Sequence, residues 1–124
     1  MTNCPFCRAE SDRTIIASSA LSLAFYDGFP VSPGHVLIIP KRHVSSFFGL
    51  SREEQIDLLD LVNKVKLFIE DTYHPDGYNI GINVGEAAGQ SIFHVHIHVI
   101  PRYQGDVPNP RGGIRGVIPS KKNY

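Results

Sequence analysis

The sequence predicts an α+β domain in which an antiparallel sheet of about five strands packs against one long helix, with a short helix in addition. Three observations support this prediction. Residues 78–84 and 94–100 alternate between polar and apolar side chains, which is the period of a strand with one buried face. Residues 56–69 instead repeat their apolar side chains at helical spacing.

Length and composition indicate one domain without a strongly charged surface. The chain has 124 residues, and 12 basic side chains balance 12 acidic ones, so neither nucleic acid nor a membrane surface is expected as a partner. No apolar run approaches the ~18 residues that a membrane-spanning helix needs, and the polar stretch 2–5 does not resemble a signal peptide. We therefore expect a single domain over residues 1–124, located in the cytoplasm.

Cys4 and Cys7 form a Cys-x-x-Cys motif that precedes every periodic segment. In a reducing compartment such a pair is half of a zinc site or a redox pair. Redox motifs of the thioredoxin kind follow a strand and open a helix, and this motif does not. A zinc site needs two further ligands, for which His43 and His94 are the candidates. The alternative is a pair of reduced thiols.

The first half of the chain contains three predicted strands. Residues 14–17 and 21–26 predict a hairpin, and residues 35–40 predict a buried strand that ends at Pro40. Asp27 lies in the turn after the hairpin, and His35 lies at the start of the third strand. Taken alone, Asp27 fits a turn residue and His35 fits a turn-capping histidine.

The long helix has a clear N-terminal signal. Ser51 and Glu54 form a capping box, with serine at the N-cap and glutamate three residues later. The helical apolar pattern then continues to about Thr72. We expect this helix to be scaffold for the sheet, with an apolar face wide enough to contact a partner subunit as well.

A glycine-containing turn follows the fourth predicted strand, residues 78–84. Gly85 and Gly89 allow backbone amides to approach a ligand closely, and Gln90 and Ser91 add side-chain donors. Such a set of donors suits a phosphate group, although most turns of this kind have no ligand.

Three histidines share one face of the fifth predicted strand, while Val95, Ile97 and Val99 point into the core. Pro101, which lacks an amide for the ladder, is expected to end this strand. Residues two apart on a strand are separated by roughly 6.6 Å, so His94 and His98 would be about 13 Å apart. Because zinc–nitrogen bonds are about 2.0–2.1 Å long, one ion cannot easily bind both. A nucleophile or general base at His96, tuned by its neighbours, fits the geometry better.

These segments together resemble the histidine triad superfamily of nucleotide hydrolases and transferases. The resemblance covers nearly the whole chain. The matching motifs are Ser32-Pro33-Gly34-His35-Val36-Leu37-Ile38-Ile39-Pro40-Lys41, Asn83 with Gly89-Gln90-Ser91, and His94-Val95-His96-Ile97-His98-Val99-Ile100.

The resemblance implies a role for each candidate residue. His96 would attack the α-phosphorus of a nucleotide substrate, and water would hydrolyse the nucleotidyl-histidine intermediate. His98 would hydrogen-bond the phosphate or assist the leaving group, with His35 supporting the triad. Asp27 would bind the ribose hydroxyls between apolar groups such as Phe25 and Phe29. The remaining phosphate-binding residues would be Asn83, Gly89, Gln90 and Ser91.

The resemblance also implies a zinc ion and a homodimer. Members that open with two similarly spaced cysteines, some of them bacterial, hold a structural zinc with two cysteines and two histidines, which here are Cys4, Cys7, His43 and His94. The superfamily is commonly dimeric, with the sheet continued across the interface. Residues 102–124, rich in proline and glycine, form an irregular C-terminal tail, which is either flexible or crosses the dimer so that Arg111 or Arg115 faces distal phosphates.

Two local similarities favour one branch of the superfamily. Pro33-Gly34-His35 and His98-Val99-Ile100-Pro101-Arg102 resemble the fragile histidine triad branch of dinucleoside-polyphosphate hydrolases. We therefore expect hydrolysis of diadenosine tri- or tetraphosphate at the α-phosphorus, releasing AMP. The alternatives are an adenosine phosphoramidate hydrolase, a nucleotidyltransferase, a non-catalytic adenylate sensor and a metal-binding structural domain.

Overall fold

The structure is a computed structural model that describes residues 3–124; Met1 and Thr2, which the predicted domain includes, lie outside the described residues. Five antiparallel strands form one sheet in the order β1-β2-β3-β5-β4. The predicted α+β architecture, with one long helix and one short helix, is confirmed. The elements are α1 (Ala9–Asp12), β1 (Ile15–Ser18), β2 (Ser22–Tyr26), β3 (Val36–Pro40), α2 (Arg52–Tyr73), β4 (Gly77–Ile82) and β5 (Ile97–Arg102).

Helix α2 begins with the predicted capping box. The Ser51 hydroxyl accepts from the Glu54 amide, and the Glu54 carboxylate accepts from the Ser51 amide. The helix ends at His74, which adopts the left-handed conformation with φ of 51° and donates its amide to the Glu70 carbonyl. Among residues 3–124, α2 and every other helix are too short or too polar to cross a membrane.

The two faces of the sheet are covered differently. Helix α2 packs on one face, and its buried side chains contact residues such as Ile38 and Ile97 in the main core. On the other face, Phe6 and Ala9 of the N-terminal segment cover Leu37 and its neighbours in a second, smaller core. This segment covers only part of the second face, and the uncovered part is the floor of a cavity.

Strand β5 begins and ends later than the alternation predicts. His94 and His96 precede the ladder, because the Val95 amide donates to the Val44 carbonyl in a loop. The expectation that Pro101 ends the strand is wrong, since the strand includes it opposite Tyr78. Proline is tolerated there because pairing with β3 stops at Val99, so no ladder on that side requires its missing amide. The predicted division of side chains between the two faces still holds, with alternating burial along β5.

Candidate active site

The cavity on the second face has a volume of about 480 Å³ and contains most of the predicted site residues. Strands β4 and β5 form its floor, the turn after β2 forms one wall, and the loop after β4 forms another. The predicted residues that line it are Asp27, His35, Asn83, Gly89, Ser91, His96 and His98.

His96 has one ring nitrogen fixed by the backbone. Its Nδ1 lies 2.9 Å from the carbonyl oxygen of His94. A carbonyl only accepts hydrogen bonds, so Nδ1 carries the proton and the lone pair of the neutral ring is on Nε2. The side chain is 8% exposed and borders the cavity. This arrangement is the one that a nitrogen nucleophile requires.

His35 and His98 form a hydrogen-bonded pair whose proton positions also follow from the backbone. The Val31 amide donates to Nδ1 of His35 at 3.1 Å, so the proton of a neutral His35 is on Nε2. That nitrogen lies 3.0 Å from Nδ1 of His98 and donates to it. His98 therefore carries its own proton on Nε2, where it can serve as a hydrogen-bond donor.

Burial keeps both of these histidines neutral near pH 7. It lowers the pKa of His98 to about 4, with further lowering by the neighbouring His96 and His35. It also lowers the pKa of His35, although the Asp27 carboxylate opposes that effect. Because the His98 ring stays neutral, its Nε2–H remains a hydrogen-bond donor over the physiological pH range.

Asp27 lies at the junction of the turn and this histidine pair. One carboxylate oxygen accepts from the Phe29 amide at 2.8 Å, and the other lies 3.4 Å from Nε2 of His35 and 3.9 Å from Nδ1 of His98. The residue is partly exposed to the cavity. Phe29, next to it, is 90% exposed, whereas Phe25 is buried in the smaller core and does not line the cavity.

The loop after β4 has a different internal arrangement from the one that we predicted. Gly85 and Gly89, with φ of 90° and 94°, flank a single 3-10 turn, Glu86–Ala88. The Gln90 side chain is buried, accepts from the Gly85 amide, and donates to the carbonyls of Ser45 and Ile92. It therefore holds the loop together and is not aimed at a phosphate, whereas Ser91 and Gly89 border the cavity.

Cys4, Cys7, His43 and His94 converge at one end of the smaller core. Their ligand atoms all lie within 4.8 Å of one another. Cys7 Sγ is 3.1 Å from His43 Nδ1 and 3.7 Å from His94 Nδ1, and the two Nδ1 atoms are 3.2 Å apart. A tetrahedral zinc ion with ordinary bond lengths separates two nitrogen ligands by about 3.3 Å and two sulfur ligands by about 3.8 Å.

The proton position of His94 suits metal binding. Its Nε2 lies 2.8 Å from the Pro40 carbonyl and donates to it, which leaves the Nδ1 lone pair directed at the two cysteines. A carbonyl that accepts a hydrogen bond from the other ring nitrogen is typical of histidine residues that bind a metal. The four residues therefore fit a zinc ion in both geometry and donor type.

A second group of possible ligands, Asp27, His35 and His98, fits a metal less well, although its atoms also lie within 4.8 Å. His35 already accepts the Val31 amide proton on Nδ1. If Nε2 bound a metal, the ring would have no proton left, and forming an imidazolate is costly. The hydrogen-bonded pair explains this group more simply.

The C-terminal tail folds back on the same chain, and its arginines do not face the cavity. Both Arg111 and Arg115 lie over the Tyr124 ring, at 5.2 Å and 4.6 Å from its centroid. Arg115 also donates to the carbonyls of Lys121 and Lys122. Ile114, in a 3-10 helix that spans Gly113–Val117, does line the cavity.

Several cavity residues are missing from the sequence-based prediction, and two of them, Phe6 and Ile114, illustrate why. The Phe6 ring packs edge-on against His96, with ring centroids 5.2 Å apart, and borders the cavity. Its place between Cys4 and Cys7 is a usable signal, because a metal shared by these cysteines and His94 would bring Phe6 beside His96. Ile114 offers no such signal, since its position depends on how an irregular segment folds.

The fold and the histidine-lined cavity define a protein of the histidine triad class, and the comparisons agree. The HIT domain family model matches residues 8–105. The chain belongs to the HIT domain family.

Two relatives and one solved structure illustrate the range of this family. Adenosine 5'-monophosphoramidase of Schizosaccharomyces pombe is 40% identical over 115 residues, covering 90% of this chain and 80% of the relative. Bis(5'-nucleosyl)-tetraphosphatase (asymmetrical) of the same yeast is 45% identical over 86 residues, which cover 69% of this chain and 47% of the relative. The chain thus spans about half the length of the tetraphosphatase. A Zn-bound histidine triad family protein of Mycobacterium smegmatis has a TM-score of 0.78 at 31% identity, with 87% of this chain and 81% of that chain covered.

Proposed function

We propose that this protein hydrolyses dinucleoside polyphosphates, such as diadenosine tri- or tetraphosphate, at the α-phosphorus through a nucleotidyl-His96 intermediate. The observation that carries the proposal is the hydrogen bond from His96 Nδ1 to the His94 carbonyl, which leaves the Nε2 lone pair for attack. The asymmetrical tetraphosphatase relative supports the substrate class by its name.

In the first step, Nε2 of His96 forms a bond to the α-phosphorus, and the bond from that phosphorus to the bridging oxygen of the leaving nucleotide breaks. A neutral nitrogen approaches a phosphate without charge repulsion. The Nε2–H of His98 donates to an oxygen of the reacting phosphate or to the departing bridging oxygen. In the second step, a water oxygen bonds to the same phosphorus and loses a proton to solvent, the nitrogen–phosphorus bond breaks, and AMP leaves the neutral His96 ring.

Preorganised donors would stabilise the negative charge that develops on the phosphate oxygens. The candidates are the Ser91 hydroxyl, the side-chain amide of Asn83 and the backbone at Gly89, all of which border the cavity. Gln90 would act indirectly, since its three hydrogen bonds hold the loop that carries these donors. The Asp27 carboxylate would accept from the ribose hydroxyls, and Phe6 and Phe29 would contact the base.

We also propose a structural zinc ion held by Cys4, Cys7, His43 and His94. The geometry of these four residues supports it, as does the Zn-bound mycobacterial neighbour. When bound, the ion would join the N-terminal segment to the loop that precedes β5. One of its ligands, His94, also provides the backbone carbonyl that orients the His96 ring. This site would position His96 without taking part in the reaction.

A homodimer remains part of the proposal. Strand β4 is an edge strand, and Ile80 on it is 48% exposed. Pairing of two β4 edges would continue the sheet and cover such apolar side chains.

A second candidate function is hydrolysis of adenosine phosphoramidates. It is supported by the monophosphoramidase relative, which matches over more of both chains than the tetraphosphatase does. The same nucleophile would act, and only the leaving group would differ. Transfer of the nucleotidyl group to phosphate rather than to water is the corresponding transferase reaction.

A product assay distinguishes these functions. Diadenosine tetraphosphate and an adenosine phosphoramidate are each incubated with wild type, His96→Ala and His74→Asn, with chelator present to remove free divalent metal. His74 is an exposed histidine that does not line the cavity, and asparagine tolerates its left-handed backbone. We expect AMP and ATP from the tetraphosphate with wild type and His74→Asn, and no turnover with His96→Ala.

Other outcomes would change the assignment. Faster release of AMP from the phosphoramidate would favour the second function. Two molecules of ADP from the tetraphosphate would mean attack at another phosphorus. If no protein turns over either substrate but all bind AMP, the protein is an adenylate sensor.

A further inference from the structure

A second cavity continues the first along the sheet. It has a volume of about 420 Å³ and shares Val31, Asn79 and Ile100 with the first cavity. Asn79 of β4 pairs with Ile100 of β5, so these two residues form a common floor where the cavities meet. His96 and Arg102 are six residues apart, which corresponds to about 20 Å along a strand. The two cavities thus form one groove that runs along β4 and β5.

The C-terminal tail makes the outer wall of this second cavity. Gly113 lines it, while the next residue, Ile114, lines the first cavity. The Ile114 Cδ1 atom lies 3.9 Å from the position that a Cβ on Gly81 would occupy, so the tail reaches the sheet floor. Lys122 also lines the second cavity, and its Nζ is held by the Asn109 carbonyl at 2.6 Å. The tail therefore closes the groove within one chain.

The chemistry of the second cavity matches a nucleotide. Its charged lining residues are Arg102, Lys122 and Asp106, two cations and one carboxylate, for a net charge of +1. Arg102 is fixed by two hydrogen bonds to Asp106 and by one to the Asn79 amide oxygen. The Asn79 NH₂ group remains a donor at the junction of the cavities.

Apolar side chains form much of the remaining wall, namely Val31, Pro33, Val107 and Pro110. Flat apolar surfaces of this kind suit a heterocyclic base, and the neighbouring cations suit phosphate oxygens.

We propose that this second cavity binds the leaving nucleotide of a dinucleoside polyphosphate, with its distal phosphates near Lys122 and Arg102 and its base among the prolines. The inference rests on the proposed function and makes it more specific. A phosphoramidate ends just beyond the α-phosphorus and would leave this cavity empty. The tail would thus determine the preference for dinucleoside substrates over mononucleotides.

Binding measurements without turnover test this assignment. All variants are made in a His96→Asn background, and calorimetry measures the affinities for diadenosine tetraphosphate and for AMP. Lys122→Glu reverses a charge in the second cavity. Lys121→Glu is the matched control, because it makes the same charge change at an exposed neighbour that does not line the cavity. Val107→Trp fills the cavity without changing charge.

We expect Lys122→Glu to weaken diadenosine tetraphosphate binding about tenfold, the size of one charge-assisted contact. Val107→Trp should weaken it by a similar factor, because the indole would occupy the space of the base. Affinity for AMP should stay the same, and Lys121→Glu should leave both affinities unchanged. The inference is overturned if the two cavity variants leave the tetraphosphate affinity unchanged, or weaken AMP binding equally. Failure of the proposed function is a separate result. Wild type would then release no AMP, while the two cavity variants would still lose affinity for diadenosine tetraphosphate and not for AMP.

Discussion

Three histidines near the cavity owe their proton positions to main-chain groups. The His94 carbonyl accepts from His96, the Pro40 carbonyl accepts from His94, and the Val31 amide donates to His35. Each bond leaves the opposite ring nitrogen in the state that its proposed role requires. Because backbone groups do not titrate, this arrangement is independent of pH as long as the rings stay neutral.

The lowered pKa of His98 predicts a pH dependence of stability. Its pKa is about 4 in the folded chain, against an ordinary value of 6.5. Between these values the unfolded chain binds more protons, so the free energy of unfolding decreases as the pH falls from about 6.5 to about 4. His98→Asn should show a smaller decrease. Denaturant unfolding of both proteins at pH 7 and pH 5 measures the difference.

Protonation of groups that do not contact His98, such as the cysteines, affects wild type and His98→Asn alike and cancels in this comparison. Protonation of His35, which is hydrogen-bonded to His98, is part of the measured difference. Equal losses of stability in the two proteins would show that His98 does not change its pKa on folding.

Residue identity alone predicted the site only in part. The histidine row and the two cysteines are recognisable because few other uses explain such spacing. Gln90 is the instructive error, since a glutamine beside a serine in a glycine-containing turn looks like a phosphate donor. Its side-chain amide forms hydrogen bonds with the backbone of Gly85, Ser45 and Ile92. Ser45 is 45 residues away in sequence, so no local pattern reveals this partner.

At the scale of elements, the most predictable one is α2, because its signals are local. The apolar period and the capping box together specify its start, and both are present in the structure. The start of β5 was less predictable. The alternation continues through His94 and His96, but hydrogen bonding there is to a loop residue, Val44, and alternation does not reveal the partner.

The N-terminus of α2 carries a testable ion pair. Arg42 donates to both oxygens of the nearly buried Glu54, at 2.7 Å and 3.0 Å, and this contact lowers the pKa of Glu54 to about 2. A carboxylate with a lowered pKa stabilises the fold above pH 4.5, and this stabilisation is lost as the pH falls toward 2. Glu54→Gln should cost about 1–2 kcal/mol at pH 7.

Ser51→Ala is the companion variant for this ion pair. It removes the other half of the capping box and should cost about 1 kcal/mol at pH 7. This cost should depend less on pH than that of Glu54→Gln, because the Ser51 hydroxyl contributes least to the lowered pKa of Glu54. Chemical denaturation at pH 7 and pH 3.5 measures both variants. A cost of Glu54→Gln that does not shrink at the lower pH would refute the assigned pKa.

At the scale of the whole molecule, the metal group joins distant parts of the chain. Cys4 and Cys7 precede the sheet, His43 follows β3, and His94 precedes β5. An ion bound there would link three segments that otherwise meet mainly through Phe6 and its apolar neighbours. Because the unfolded chain lacks the assembled site, binding would stabilise the fold.

We therefore expect about one zinc ion per chain and a lower Tm after chelation. Cys7→Ser should have little bound zinc, a Tm below that of wild type, and no further decrease with chelator. Metal analysis and thermal unfolding of both proteins, with and without chelator, test this. A wild-type Tm that does not respond to chelation, together with zinc-free protein, would favour two reduced thiols.

The sequence was least informative about the tail. Proline and glycine make residues 102–124 look irregular, and local patterns cannot predict that Ile114 reaches the floor of the cavity. Arg111 and Arg115, which one of the two alternatives for the tail placed near distal phosphates, lie over the Tyr124 ring in this chain. Such contacts depend on the final packing of the chain, whereas the individual strands are each locally recognisable.

The most direct test of the central claim is to capture the intermediate. Wild-type protein is mixed with diadenosine tetraphosphate, quenched after a few milliseconds under conditions that preserve phosphoramidate bonds, digested and examined by mass spectrometry. The account predicts one adenylyl group on His96, absent from His96→Ala and lost as AMP accumulates. Turnover without any adduct, or an adduct on His98 or Ser91 instead, would contradict nucleophilic attack by His96.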